Sequence, residues 1–332
     1  MNIRNTKELK TFASQRLENA RDEKRIVLIY SALALGLAAL TTLVNYLLGL
    51  QIDQSGGLGN MGLRTILSTL QTVLPLVQSV VVMCLSVGYV SAMLRIARGQ
   101  YASPQGLRLG FDRFWVLLRC AVIRGLIYVA ILFAAVYLST MLYMITPLSR
   151  SAMEILMPLM SSTTVLDSGI VIYDATYAQL VASMWPLFLI CCAVFCAAAT
   201  PVMYRYRMAN YVIIDHPGLG AIAALRESRK MMKGNCFQLF KLDLGLWYYY
   251  AALLIASIIC YGDMILPMLG VNLPFSEDAA YFIFYALCLA LEFGIYYFLR
   301  NRAEVAYALA YDAVKPEEKK DSVVVLGNIF NL

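Results

Sequence analysis

The side chain best placed to do chemistry is an acid inside an apolar segment. Glu292 lies in the run from Ala279 to Leu299, seven residues before its end. An ionised carboxylate at that depth in a membrane is costly, so it must face protein or water, or carry a proton. Two roles fit: a site that couples proton or cation movement, or a structural hydrogen bond to a neighbouring helix.

A second candidate is a group of basic side chains between apolar segments. The breaker cluster from Asp215 to Gly218 precedes a helix that we predict from about Gly220 to Gly234, since glycine suits a helix C-terminus. Its cations fall on one face and its less polar residues on another: Arg226, Arg229, Lys230 and Lys233 against Ala221, Ala224, Leu225, Ser228, Met231 and Met232. The basic face could dock an anionic lipid or an acidic partner, or lie on the inner leaflet with its cations reaching water.

Signals for catalysis and metal binding are weak. His216 is the only histidine and stands in a turn before Pro217. Cys192 and Cys196 are one helical turn apart, but a metal would need further ligands. The sequence contains no H-E-x-x-H, G-x-S-x-G or Walker motif. We therefore predict that the protein is not an enzyme and has no cofactor, catalytic residue or metal site.

The composition identifies the surroundings in which these residues must be placed. Apolar residues make up 61% of the 332-residue chain and charged residues 14%, against about 25% charged in a soluble domain. Six stretches are long enough to cross a membrane as helices: Ile26 to Leu50, Ile66 to Leu94, Gly125 to Leu148, Leu180 to Tyr204, Leu244 to Gly270 and Ala279 to Leu299. We predict an all-α integral membrane protein with six transmembrane helices in three hairpins and amphipathic interfacial helices on the cytoplasmic side.

Two other segments have an amphipathic pattern. A helix from roughly Thr6 to Lys24 would carry an apolar stripe, and one after Pro104 would carry an aromatic arc: Leu9, Phe12, Ala13, Leu17 and Ala20 in the first; Leu107, Phe111, Phe114, Trp115, Leu118 and Val122 in the second. The predicted organisation is a cytoplasmic N-terminal amphipathic helix at residues 1–25, a six-span membrane domain at 26–314 and a cytoplasmic tail at 315–332.

Basic residues indicate the orientation of the spans. Of the 27 lysines and arginines, 25 fall on one side, and only Arg64 and Arg150 lie in the opposite loops. The positive-inside rule makes the basic side cytoplasmic, which predicts a multi-pass cell-membrane protein with both termini inside. The net charge of +6 then reflects topology and attraction to anionic inner-leaflet headgroups, and we expect no nucleic-acid partner.

A string in the fourth loop resembles a known family pattern, E-S-x-x-x-M-x-G followed by L-F-x-L-x-L. The matching residues are Glu227, Ser228, Met232, Gly234, Leu239, Phe240, Leu242 and Leu244. The run from Tyr211 to Pro217, which ends in Asp-x-Pro, is also similar, as are Gly88, Arg98-Gly99 and Gly110-Phe111. The chain thus resembles an uncharacterised bacterial family of multi-pass membrane proteins, domain of unknown function nine-seven-five. The resemblance implies a fold and a cytoplasmic signature, and no known activity.

Three functions fit these features. The first is a non-catalytic membrane protein that binds inner-leaflet lipid or a membrane-protein partner, and the second is a small-solute or ion transporter that uses Glu292. The third, a lipid-modifying enzyme, lacks evident nucleophiles and metal ligands. The candidate functional residues are Glu292, Arg226, Glu227, Ser228, Arg229, Lys230, Lys233 and Gly234.

The charge asymmetry predicts the outcome of reporter fusions along the chain. Alkaline phosphatase fused after Gly57, Thr164 and Pro274 should be active, because these positions lie in the loops poor in basic residues and are expected outside the cell. The fluorescent protein fused after Gly106, Gly218 and Lys319 should fluoresce, because these positions are expected in the cytoplasm. Paired alkaline phosphatase and fluorescent-protein fusions measure this, and one reversed position would refute the six-span topology.

Overall fold

A computed structural model describes residues 6–20, 22–54, 61–147, 149–150, 153–154, 174–268, 271, 274 and 276–315. Regular structure in these ranges is helical throughout. A 3₁₀ turn at Pro104–Arg108 and a π-helical turn at Tyr296–Arg300 accompany thirteen α-helices among the described residues. The α-helices are α1 Thr6–Glu18, α2 Glu23–Gln54, α3 Met61–Ala97, α4 Leu109–Asp112, α5 Phe114–Met144, α6 Asp174–Tyr206, α7 Ala209–Asp215, α8 Ala221–Met231, α9 Cys236–Gly245, α10 Trp247–Cys260, α11 Gly262–Met268, α12 Glu277–Ile295 and α13 Asn301–Val314.

The long helices have the length and composition of membrane spans. Five described segments qualify: α2, α3, α5, the stretch of α6 and α7 at Met184–Asp215, and the stretch of α12 and α13 at Asp278–Val314. Helices α9 and α10 supply a sixth if they form one span broken by a 66° bend. The chain therefore has the fold of a helical membrane protein with several candidate spans.

The region of the predicted fifth span departs from the sequence prediction. A single helix from Leu244 to Gly270 was expected, but the structure divides this region among α9, α10 and α11. The break after α9 falls at Leu246, whose N–H bonds to the carbonyls of Leu242 and Asp243. Apolar composition does not show the bend, because the predicted span contains no charged residue on either side of it from Leu244 to Cys260.

The segment after Pro104 also differs from the prediction. The expected interfacial helix is divided into the 3₁₀ turn, the one-turn α4 and the start of α5, which continues to Met144. Leu107 is buried, whereas Trp115 is exposed. The predicted aromatic arc is therefore not one surface of one helix.

Two compact units make up the chain, one of residues 1–118 and 207–332 and the other of residues 119–206. In the first unit α2 packs along α3, α10 packs against α12, and α13 contacts α1 and α3. In the second unit most described apolar side chains of α5 and α6 are exposed, among them Phe133 and Phe188. Lipid chains are the natural solvent for such surfaces.

The N-terminal helix packs on protein through its apolar stripe. Leu9, Ala13 and Leu17 are buried, and α1 contacts α13 and α3. The predicted helix to Lys24 ends earlier, at Glu18, and α2 begins at Glu23. The predicted tail at 315–332 lies outside the described residues except for Lys315.

Two glycines allow α3 to approach the segment that follows it. A Cβ atom added to Gly88 would lie 2.2 Å from the carbonyl oxygen of Leu107, and one added to Gly110 would lie 1.9 Å from that of Cys84. No side chain fits at either position. Both glycines belong to the family resemblance, which here has a steric cause: the backbone of residues 107–110 lies directly on α3.

Candidate functional site

The predicted basic helix corresponds to α8, which ends at Met231, so that Lys233 and Gly234 follow the helix. Its buried face consists of Ala221, Ala224, Leu225, Ser228 and Met231, and Met232 just beyond it is also buried. All four predicted cations, Arg226, Arg229, Lys230 and Lys233, are exposed. Gly234 has a φ of +86°, the left-handed conformation that favours glycine after a helix.

The two remaining candidates on this helix have different environments. Glu227 pairs with Lys230 at 3.2 Å, and the lysine side chain is 67% exposed. A surface pair of this kind adds little stability. Ser228 is fully buried, so it belongs to the packed face of α8 and does not contribute to the basic surface.

Helix α9, which follows α8 in the chain, exposes an apolar face. Phe237, Phe240 and Leu244 are exposed and follow the three- and four-residue spacing of one helix face. The ammonium of Lys241, on the same face, lies 4.8 Å from the centre of the Phe237 ring. Leu239, Leu242 and Asp243 form the buried face. We call this exposed face of α9, together with the four exposed cations Arg226, Arg229, Lys230 and Lys233, the amphipathic surface.

Glu292 lies on α12, inside the last candidate span. Its side chain is partly buried. It forms no hydrogen bond or ion pair with any residue in the described part of the chain. The hydrogen-bonded structural role considered for it thus has no partner among those residues.

A larger polar assembly is built around three arginine pairs of the sequence. Three pairs follow the second, fourth and sixth predicted spans: Arg95 and Arg98, Arg205 and Arg207, and Arg300 and Arg302. In each pair one arginine is exposed and the other is partly buried; the partly buried ones are Arg98, Arg207 and Arg300. All three of these lie in the first unit and interact with α13 or with its first turn.

Arg98 joins two aspartates from different helices. Its Nη1 and Nη2 donate to the two carboxylate oxygens of Asp215, at 2.7 and 2.8 Å. Nη2 and Nε also donate to Asp312, at 2.6 and 3.1 Å. Hydrogen bonds to Asp215, and then those to Asp312, raise the pKa of Arg98 above its usual range. Lys315 and the hydroxyl of Tyr311 donate to the same carboxylate of Asp215, at 3.2 and 3.1 Å.

Arg207 is held by an acid and two tyrosines. Its Nη1 lies 2.6 Å from Asp243, its Nη2 donates to the hydroxyl of Tyr250 at 3.0 Å, and its guanidinium stacks 4.3 Å from the Tyr307 ring centre. The hydroxyl of Tyr307 donates to the other oxygen of Asp243 at 2.7 Å. This carboxylate on α9 is thus tied to α13.

Arg300 lies among three aromatic rings at the end of the π-helical turn. Its guanidinium is 4.7 Å from the ring centres of Tyr30 and Tyr296 and 5.3 Å from that of Tyr89. Glu304 lies one turn further along the chain, at 4.0 Å. These contacts join α2 and α3 to the start of α13.

We call this assembly the arginine network, and its interactions are of the kind that hold helices together. It consists of ion pairs, hydrogen bonds and cation–π contacts, and within the described residues no group of three or more His, Cys, Asp or Glu side chains could hold a metal ion. The eight cysteines are thiols without disulfides. The predicted candidates on α8 and Glu292 are outside this network.

A sequence signal for the network was present in the resemblance. The strings Arg98-Gly99 and Asp215-x-Pro217 lie 117 residues apart, and the structure joins them by a bidentate pair. Gly99 itself has a φ of +73°, which explains a glycine directly after the arginine.

A model of the family described as Protein of unknown function (DUF975) matches residues 1–318. The chain belongs to this family. No curated protein and no solved structure matches the chain. The DUF975 match includes Arg98, Asp215 and Asp312, so the central contacts of the arginine network lie within the family domain.

The exposed member of the first arginine pair gives a matched control for the network. Arg98→Gln should destabilise the protein, because Asp215 and Asp312 lose their shared cation. Breaking a buried pair costs about 3–5 kcal/mol, and the lower end applies because the Arg98 side chain is 29% exposed. Melting of the full chain in detergent measures this. Arg95→Gln removes the same charge and should melt like the wild type; equal losses in both variants would contradict the assignment.

Proposed function

We propose that the protein is a non-catalytic integral membrane protein of the bacterial cell membrane that binds anionic lipid headgroups at the inner leaflet. The amphipathic surface carries this proposal: α8 and the two residues after it expose four cations, and α9 exposes Phe237, Phe240 and Leu244. Cations attract anionic headgroups, and apolar side chains beside them enter the acyl boundary. A membrane-protein partner with an acidic surface is the other occupant this charge would suit.

The 66° bend between α9 and α10 supports this placement. If α10 crosses the bilayer, α9 runs closer to the membrane plane because it is bent away from α10 at this angle. Trp247 lies just past the bend and is exposed, and tryptophan favours the headgroup level. In this arrangement α8 and α9 lie on the cytoplasmic side, as do both termini, and the six spans form three hairpins.

Contacts to the arginine network support a fixed position for the surface. Helix α8 packs on α7, which ends at Asp215, the partner of Arg98. Helix α9 is held through Asp243 by Arg207 and Tyr307. A surface fixed before binding loses less conformational entropy when lipid binds.

Neutralising the α8 cations tests the lipid proposal. The fourfold Arg226→Gln, Arg229→Gln, Lys230→Gln, Lys233→Gln variant should bind anionic phospholipid more than about tenfold more weakly, since each cation near the surface contributes about 1 kcal/mol. Titration of the full chain in neutral micelles with a fluorescent anionic phospholipid measures the affinity, which should also weaken with salt.

A second fourfold variant controls for net charge. Lys7, Arg25, Arg95 and Arg108 are exposed basic residues outside α8. Changing all four to Gln removes the same charge and should leave most of the affinity. If this control loses as much affinity as the α8 variant, the binding is diffuse and the proposed surface is wrong.

Glu292 favours a second function, proton- or cation-coupled transport of a small solute or ion. The supporting observation is its partly buried carboxylate within a candidate span, without a hydrogen-bond partner among the described residues. A carboxylate in such a place is costly unless it binds a proton or a cation.

Glu292→Gln separates transport from a structural role. The amide keeps the size of the side chain and most of its hydrogen-bonding capacity, so the variant should fold and melt near the wild type. If Glu292 carries protons, pH-driven flux in liposomes should be present in the wild type and lost in the variant. Normal flux in the variant, or no flux in the wild type, removes this function.

A further inference from the structure

A cavity of about 570 Å³ opens in the first unit between α1, the first turn of α2 and the junction of α12 with α13. It is separate from the amphipathic surface and from Glu292. Its lining combines both signs of charge with aromatic rings, and includes Glu18, Glu23, Lys24, Tyr297, Asn301 and Arg302.

The cavity lies at the boundary between polar and apolar sequence. Glu23 and Lys24 lie just before the apolar run that begins at Ile26, and Arg302 lies just after the apolar run that ends at Leu299. Leu28, Ile29 and Leu33, further along α2, are exposed apolar residues. An amphiphile with its polar group in the cavity would therefore find an apolar surface for its chains on the same helix.

Glu23 is the buried acid of this lining, and the charges of Lys24 and Arg302 act on it only from beyond ion-pair distance. Its side chain is buried, with a residue exposure of 8%. One carboxylate oxygen accepts a hydrogen bond from the amide of Asn301, whose own oxygen accepts from the N–H of Arg302. Among the described residues Glu23 forms no ion pair. A buried carboxylate with one neutral partner is costly, so a cation in the cavity would stabilise it.

Two basic side chains on the same cavity lining could bind an anion. Lys24 and Arg302 are exposed, line the cavity and form no ion pair within the described ranges. The buried acid and the exposed bases thus define an inner negative site and an outer positive one. A ligand that matches both carries an ammonium and a phosphate joined by a short link.

We propose that this cavity binds the phosphoethanolamine headgroup of an aminophospholipid. The primary ammonium binds Glu23, with Glu18 beside it, and the phosphodiester binds Arg302 and Lys24. A primary ammonium donates hydrogen bonds to carboxylates, which a quaternary ammonium does not. The site goes beyond the lipid-binding role of α8, because it selects a zwitterionic headgroup through other helices.

Lipid titration of the full chain tests the site. Purified, delipidated protein in neutral detergent is titrated with phosphatidylethanolamine, phosphatidylcholine and phosphatidylglycerol, and bound lipids are counted by native mass spectrometry. Phosphatidylethanolamine should bind at one site at least tenfold more tightly than phosphatidylcholine. Equal binding of these two lipids would overturn the proposal, because they differ only at the amine.

Two variants locate the site. Glu23→Gln keeps the oxygen that accepts from Asn301 and removes the charge, so phosphatidylethanolamine affinity should fall at least tenfold. Arg302→Gln changes an exposed side chain, is expected to fold, and should weaken binding through the phosphate. Arg25→Gln, next to the cavity but outside its lining, should change nothing. Wild-type affinity in the Glu23 and Arg302 variants would show that phosphatidylethanolamine binds elsewhere, and would refute the cavity site.

Two further comparisons separate this site from other ligands and from the amphipathic surface. Free phosphoethanolamine should bind far more weakly than the lipid; equal affinity would make a soluble zwitterion the ligand and overturn the lipid assignment. The fourfold α8 variant should retain phosphatidylethanolamine while losing anionic lipid. Loss of both lipids in that variant would refute a separate cavity site.

Discussion

Burial of helix α13, together with the polar groups it carries, is the constraint on which the first unit depends. The chain continues from an apolar span into α13 without leaving the helix, and residues Val305 to Tyr311 are buried. Buried polar groups need hydrogen-bond partners, and those of α13 find them on other helices. Tyr307 bonds to Asp243, Tyr311 bonds to Asp215, and Asp312 pairs with Arg98 of the loop after α3. Helix ends distant in sequence must therefore meet around α13.

Arginine is the residue type that this arrangement requires. Arg98 uses all three of its nitrogen positions on two carboxylates, a fork geometry that a lysine ammonium does not have. Arg207 and Arg300 also present flat guanidinium groups to tyrosine rings. A lysine at either position would keep the charge and lose the stacking. This explains why one arginine of each pair is partly buried against other helices while its neighbour is exposed.

The sequence predicted local features well and tertiary ones poorly. The buried face of α8 and its glycine end follow from helical periodicity and from the φ that Gly234 adopts. The arginine network depends on pairs such as Arg98 with Asp215, which no local pattern specifies, although both lie in strings that resemble the family pattern. The bend at Leu246 was missed for the same reason: Asp243 is drawn to Arg207 and Tyr307, a contact that apolar composition does not reveal.

Charged groups of the first unit fall into two classes that differ in what satisfies them. Arg98, Arg207 and their aspartates are satisfied within the protein and fix the helices. Glu23 and Arg302 form no ion pair with the described residues, although both lie on helices that the network holds in place. A fixed position keeps the buried carboxylate of Glu23 from reaching solvent, so its charge is available to a ligand beside the exposed Arg302. The rigidity that the arginine network gives to these helices thus holds Glu23 and Arg302 in position for the proposed lipid headgroup.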